Sequence, residues 1–315
     1  MLPFRTARIS SIRYSLLLRS FAIAVLTLCV FAATAYRFIV VPAIEGLAEA
    51  QMSQTASEME ARVVRLIDTV EVTLRISRGW GLAGSLSQDE LQRFNEFFIP
   101  VIAQHSEISS TIFAHQSGRE LILLHGPDGK WSNRVSDPQR WGRQTRWSFW
   151  GTHRILEKEE VREINYDSRT RPWFIGAMET AGDGDIFWTP PYTFFATGEP
   201  GITAATRWTA VDGSRYVIAH DVSLLDLSRF TRQLKAGQDG VGILFDDDGR
   251  VIGVPRDARF GSDEEIKKYV LRPLDNLGLP ALSIGFHHWI EAGRPEGRLS
   301  ATTADGSVWF THFRR

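Results

Sequence analysis

The 315-residue chain carries 36 basic and 37 acidic side chains for a formal net charge of −1, and is 43% hydrophobic and 11% aromatic. Near-neutral charge argues against a nucleic-acid binder, which concentrates basic surface against phosphates, and 10 Trp with 19 Phe exclude a solvated, disordered coil. A single cysteine, Cys29, leaves no partner for an intrachain disulfide or a thiolate metal site, and its apolar surroundings read as those of a small hydrophobe.

Residues 1–20 form a basic leader with Arg5, Arg8, Arg13 and Arg19 and no acid. From Phe21 to Tyr36 no residue is charged, and after Arg37 the apolar run resumes to Val41. Sixteen residues make about 24 Å of helix, short of a hydrocarbon core of about 30 Å. Extension to Val41 makes residues 21–41 a membrane span, with Arg37 reaching the headgroups along its own stem. The basic flank then lies in the cytoplasm and everything after about residue 42 outside it. A cleaved signal peptide is the competing reading, because Ala33-Thr34-Ala35 has the small-x-small form of a processing site.

From Ala43 to Ser77 apolar residues return at helical spacing, Met52, Met59 and Leu66 recurring every seven beside Ala56, Val63 and Val70. This predicts a long stalk helix over 42–78, with a coiled-coil seam in a homodimer or a stripe packed on its own domain. Gly79-Trp80-Gly81 should break it. A second helix follows, with Ser87 and Glu90 in capping-box spacing.

After His105 the period changes to that of strands. SSTIFAHQ, ELILLHG and KWSNRV alternate with Ser117-Gly118 and Pro127-Asp128-Gly129 turns. RWSFW reads as a strand, while LEKEEVREI stays open between a short helix and a charged strand pair. Pro172 opens a short helix; DIFWTPPYTFF, GITAATRWTA and RYVIAHDV are strand candidates; LLDLSRFTRQL is an amphipathic helix ending near Gly237. The grammar then restarts, with a hairpin around Asp246-Asp247-Asp248-Gly249, a helix in DEEIKKYVLRPL and a last hairpin in SATTADGSVWFTHF.

The densest polar and aromatic cluster runs from Tyr166 to Phe174 (YDSRTRPWF), with Trp188, Tyr192 and Asp221 downstream. Arg171 offers a planar fork suited to a carboxylate, Trp173 an apolar wall with one donor. On composition alone a ligand pocket and a structural ion pair among core aromatics stand level. His287-His288 lack a carboxylate at ligand spacing, the Asp246–Asp248 run lacks the alternation of a calcium loop, and no nucleophile elbow, P-loop or dinucleotide fingerprint occurs. The residues therefore indicate no metal, no cofactor and no enzyme.

YDSRTRPWF, WTPPYTFFATGEPGITAA and VIAHDVSLLDLSRF, in this order behind a membrane span and a long helix, resemble the double Cache sensor domain of bacterial chemoreceptors, sensor histidine kinases and membrane-bound nucleotide cyclases. The resemblance implies an α+β fold: transmembrane helix, long helix, then two PAS-like antiparallel-sheet modules, a membrane-distal one over 79–237 and a membrane-proximal one over 238–315 that looks incomplete. It also implies a single-pass protein of the bacterial inner membrane with a periplasmic or extracellular sensor. Amino-acid-binding members use a tyrosine, an arginine five later, a tryptophan two beyond and an adjacent tyrosine, then further tyrosine and aspartate positions. Tyr166, Arg171 and Trp173 match the first three, Phe174 stands for the adjacent tyrosine, Tyr192 serves as the downstream tyrosine, Phe194 occupies the place of an intervening acid, and Asp221 matches the last acid. The carboxylate end is kept and the ammonium end has lost an acid and a hydroxyl, which favours a small organic acid over a free amino acid. Ligand binding would shift the long helix toward a separate cytoplasmic output partner. A non-sensing structural or dimerisation ectodomain and a hydrolase or other periplasmic enzyme are the alternatives.

Overall fold

The computed structural model describes residues 7–126, 128–151, 154–234, 240–302, 306 and 308–314. Contacts divide the chain into two units, 1–54 and 55–315. In the first, α1 (Ala7–Ala35) passes through one π-helical turn (Tyr36–Val40) into α2 (Val41–Leu82). Within the π turn the Val41 N–H reaches back to the Tyr36 carbonyl; Pro42, which has no N–H to give, follows directly. From Tyr14 to Val40 every large apolar side chain of this helix is exposed, and the helix is long and apolar enough to cross a membrane.

In the second unit α2 does not break at Gly79-Trp80-Gly81 as its sequence predicts. Trp80 packs on Phe97 and Phe98 of α3 (Leu91–Gln104), with ring centroids 4.8 and 5.7 Å away, so tertiary packing overrides glycine's low helix propensity. The capping box is not formed either. Ser87 Oγ accepts from Asp89 N in the preceding turn, and Glu90, the residue before α3, pairs with Arg93 instead.

Nine antiparallel strands form one sheet: β1 (Ser110–His115), β2 (Glu120–His125), β3 (Trp131–Ser136), β4 (Gln144–Trp150), β5 (Leu156–Glu163), β6 (Ile186–Trp188), β7 (Tyr192–Thr193), β8 (Pro200–Thr209) and β9 (Arg215–Ser223), with the one-turn helix α4 (Pro138–Trp141) between β3 and β4. Their order is β5-β4-β3-β2-β1-β9-β8-β6, with β7 also on β8. The open segment LEKEEVREI is therefore a strand, β5, paired only with β4 at the sheet edge and keeping its charges in water.

Period-two alternation sends two cores to opposite faces of this sheet. Phe113, Leu121, Leu123, Trp131, Ile218 and Val222 pack with α2 and α3 on one face. Ile112, Ile122, Leu124, Ala205, Val217 and Ala219 pack with Trp173, Phe174 and Ala177 of α5 (Pro172–Glu179) on the other. After β9 come α6 (Leu224–Gln233), the hairpin β10 (Leu244–Phe245) and β11 (Val251–Gly253), α7 (Asp263–Tyr269), α8 (Pro280–Glu291) and the hairpin β12 (Gly297–Thr302) and β13 (Val308–Phe313). They close a third core around Leu224, Phe260, Ile266, Leu274 and Trp289. The predicted helix end at Gly237 lies outside the described residues.

Candidate functional site

On the α5 face of the sheet, the centre of four strands forms a floor and three irregular segments cover it. Ile112, Ile122, Arg134 and Asp221 rise from β1, β2, β3 and β9. Tyr166 follows β5. Asp167 accepts from Arg169 N at 3.0 Å to shape the 3-10 turn Ser168–Thr170, and Arg171 stands extended just before Pro172, which starts α5. Phe194, Phe195 and Ala196 come over the top from the turn after β7. Phe194 lies so close that any Cβ at Gly201 would fall inside its ring, so glycine there is what lets the loop cover the floor.

These residues enclose about 20 Å³, room for one water-sized occupant. Six of the seven residues picked out from sequence line that space: Tyr166, Arg171, Trp173, Tyr192, Phe194 and Asp221. Phe174 does not. It is buried beside Trp173, edge to face at 5.6 Å, in the core beneath the cavity.

Two charged residues missed from sequence dominate the floor. Arg134, 1% exposed, pairs through Nη2 with Glu120 Oε1 at 2.5 Å, and Glu120 is 0% exposed. Tyr166 Oη donates to the other Glu120 oxygen, and the Arg134 guanidinium lies over the Tyr166 ring at 4.0 Å. Burial opposes the charge on Arg134, but Glu120 and Tyr166 outweigh it and hold its pKa above the usual arginine value. Burial likewise pushes the Tyr166 phenol well up. Arg134 Nε and Nη1 are buried without a hydrogen-bond partner. A buried donor left unmade is costly, so this is a place where an acceptor would be strongly held.

Asp221 has a different environment. At 5% exposure it accepts from Ser110 Oγ at 2.5 Å and Thr203 Oγ1 at 2.6 Å, its cross-strand neighbours on β1 and β8, and Thr203 also meets Tyr192 Oη at 2.7 Å. Burial raises its pKa to about 6 despite those two hydroxyls. Arg171 is half-buried at the mouth, with Nη2 3.4 Å from the Thr193 carbonyl. Between the two arginines sits Phe195, 44% exposed, its ring 5.7 Å from the Arg134 guanidinium and 5.9 Å from that of Arg171.

Similar solved structures include the extracellular domain of soHK1S-Z6, named as a histidine kinase, at 16% identity over 86% of this chain and 89% of that one, with TM-score 0.55. The extracellular domain of rpHK1S-Z16, named likewise, is 13% identical over 84% and 88%, with TM-score 0.52. The periplasmic sensory domain of the Campylobacter jejuni chemoreceptor Tlp1 is 12% identical over 85% and 89%, with TM-score 0.52. No protein-family model matches the chain. The fold is thus that of extracellular sensor domains, a long N-terminal helix followed by antiparallel sheet. It is the double-Cache-like fold that these extracellular and periplasmic sensory domains share, over most of this chain.

Proposed function

We propose that the chain is the extracytoplasmic sensor region of a membrane signal-transduction receptor and that the covered cavity on the α5 face binds a small carboxylate. Buried Arg134, with two nitrogens, Nε and Nη1, unused beneath a mouth held by Arg171, carries the reading. The ligand carboxylate meets Arg171 and the spare donors of Arg134, while Trp173, Phe194, Ile112 and Ile122 enclose its apolar body. Entry displaces Phe195, the exposed ring between the two guanidinium groups. The membrane-distal module then covers 79–237 and the proximal one 238–315. Residues 21–41 span the inner membrane of a bacterium, with the basic leader inside and the sensor outside.

Phe194, in place of an acid on the cavity lining, favours an organic acid over an α-amino acid, because an ammonium group would meet only Asp221. Calorimetry of the full chain in mild detergent, against propionate, other short monocarboxylates and amino acids, tests the assignment. Arg171→Ala should weaken carboxylate binding about 10- to 100-fold, the loss of one charge-assisted hydrogen-bonded contact, without lowering Tm. Tight amino-acid binding with indifference to simple acids would reject the ligand class.

A further inference from the structure

We infer that the cavity binds its carboxylate together with a proton held by Asp221, so that recognition of a small monocarboxylate strengthens toward acid pH; this rests on the carboxylate reading above.

Charge balance and hydrogen-bond chemistry both lead to Asp221. Arg134 and Arg171 face the cavity, and the carboxylate of Glu120 lies behind Arg134. With Asp221 neutral the site has one surplus positive charge, which a monoanion cancels. With Asp221 ionised, the same ligand would leave an unbalanced negative charge in a buried space.

Of the two carboxylates, only Asp221 can take up the proton without breaking its surroundings. Glu120 is held by the Arg134 guanidinium, which has no acceptor, and by a Tyr166 hydroxyl that already donates to it. Asp221 is held by Ser110 and Thr203, hydroxyls that accept as readily as they donate. The remaining groups around it do not compete. The Tyr192 and Tyr166 phenols are pushed up by burial and stay protonated, Arg134 is held charged by Glu120, and His220, next on β9, faces the other side of the sheet and is held neutral by burial. The pKa of Asp221, raised to about 6, puts the exchange within the range a periplasm meets.

The test uses propionate and L-alanine as probes of the full chain in detergent. For propionate, the dissociation constant should rise about tenfold per pH unit above pH 7, with close to one proton taken up per ligand when calorimetry is run in buffers of different ionisation enthalpy. Asp221→Asn should flatten this profile. Thr203→Val, which removes a hydroxyl that stabilises the ionised carboxylate, should move its midpoint to higher pH. Propionate binding that is flat with pH and takes up no proton overturns the coupling and leaves the carboxylate reading intact. A profile that stays steep in Asp221→Asn overturns the assignment to Asp221. If neither propionate nor another short acid binds at any pH, the carboxylate reading falls and the coupling with it. L-Alanine binding that strengthens as pH rises, with propionate flat, marks an ammonium on ionised Asp221 and overturns the proposal.

Discussion

Glu120 and Arg134 sit in rows where the sequence reads as an ordinary strand, ELILLH opposite WSNRVS. A single arginine at an alternating position reads as a solvent-facing residue, and only the register, which puts Arg134 opposite Ile122 and next to Glu120 on the covered face, reveals it as buried. The cluster from Tyr166 to Trp173 was legible because it is contiguous, with turn and helix signals that project its side chains together. The rest of the floor, Asp221 apart, was not, because separated strands supply it. Removing one partner of the floor pair leaves an uncompensated charge in the sheet. Glu120→Gln should therefore destabilise the fold by about 3 kcal/mol, roughly 6–12 °C in Tm by circular dichroism. Replacing both partners, Glu120→Leu with Arg134→Met, should cost less than the single change; equal or greater loss would show the pair to be stabilising in itself.

At the scale of elements, β9 serves two neighbours at once. Asp221 turns toward the cavity, whereas His220 turns toward α2, where its ring meets Ser77 Oγ at 3.3 Å and Thr111 Oγ1 at 3.0 Å. Burial lowers the His220 pKa from 6.5 to about 3 and raises that of Asp221 from 3.8 to about 6. The signs are opposite. His220 is neutral when folded, so its contribution to stability is lost as pH falls below about 6.5. Asp221 is protonated when folded, so its contribution is present at low pH and lost as pH rises through about 6. Between about pH 4 and 6 the folded and unfolded chains then bind equal numbers of protons at these two positions, and their slopes cancel. Chemical denaturation should show this by difference from wild type: Asp221→Asn makes stability fall on acidification, and His220→Gln makes it rise, each by about 1.4 kcal/mol per pH unit. Parallel slopes in all three proteins would contradict the assignment. The sequence marked Asp221 through its motif but gave His220 no role, since a lone histidine in RYVIAHDV alternates like any core residue. The same limit applies to the Gly79–Gly81 break, which lost to the packing of Trp80, and to the capping box, whose Ser87 and Glu90 found other partners.

For the molecule as a whole, the exposed apolar surface of α1 is long enough for a membrane and suits hydrocarbon better than water. Cys29 lies exposed on α1 among Phe21, Leu26 and Phe31, which are exposed as well. In lipid vesicles its thiol should resist a charged, water-soluble maleimide and react once detergent replaces the bilayer; rapid labelling in intact vesicles would place the helix in water. Within the folded unit, the geometry of β9 has a reciprocal consequence. One peptide unit joins the carboxylate proposed to hold a proton with the ligand to an imidazole lodged against the long helix. On the proposed reading, a ligand that displaces β9 from the cavity side acts on the helix side as well, and by linkage a force that repositions the helix then retunes the cavity's affinity by the same factor with which the ligand biases the helix.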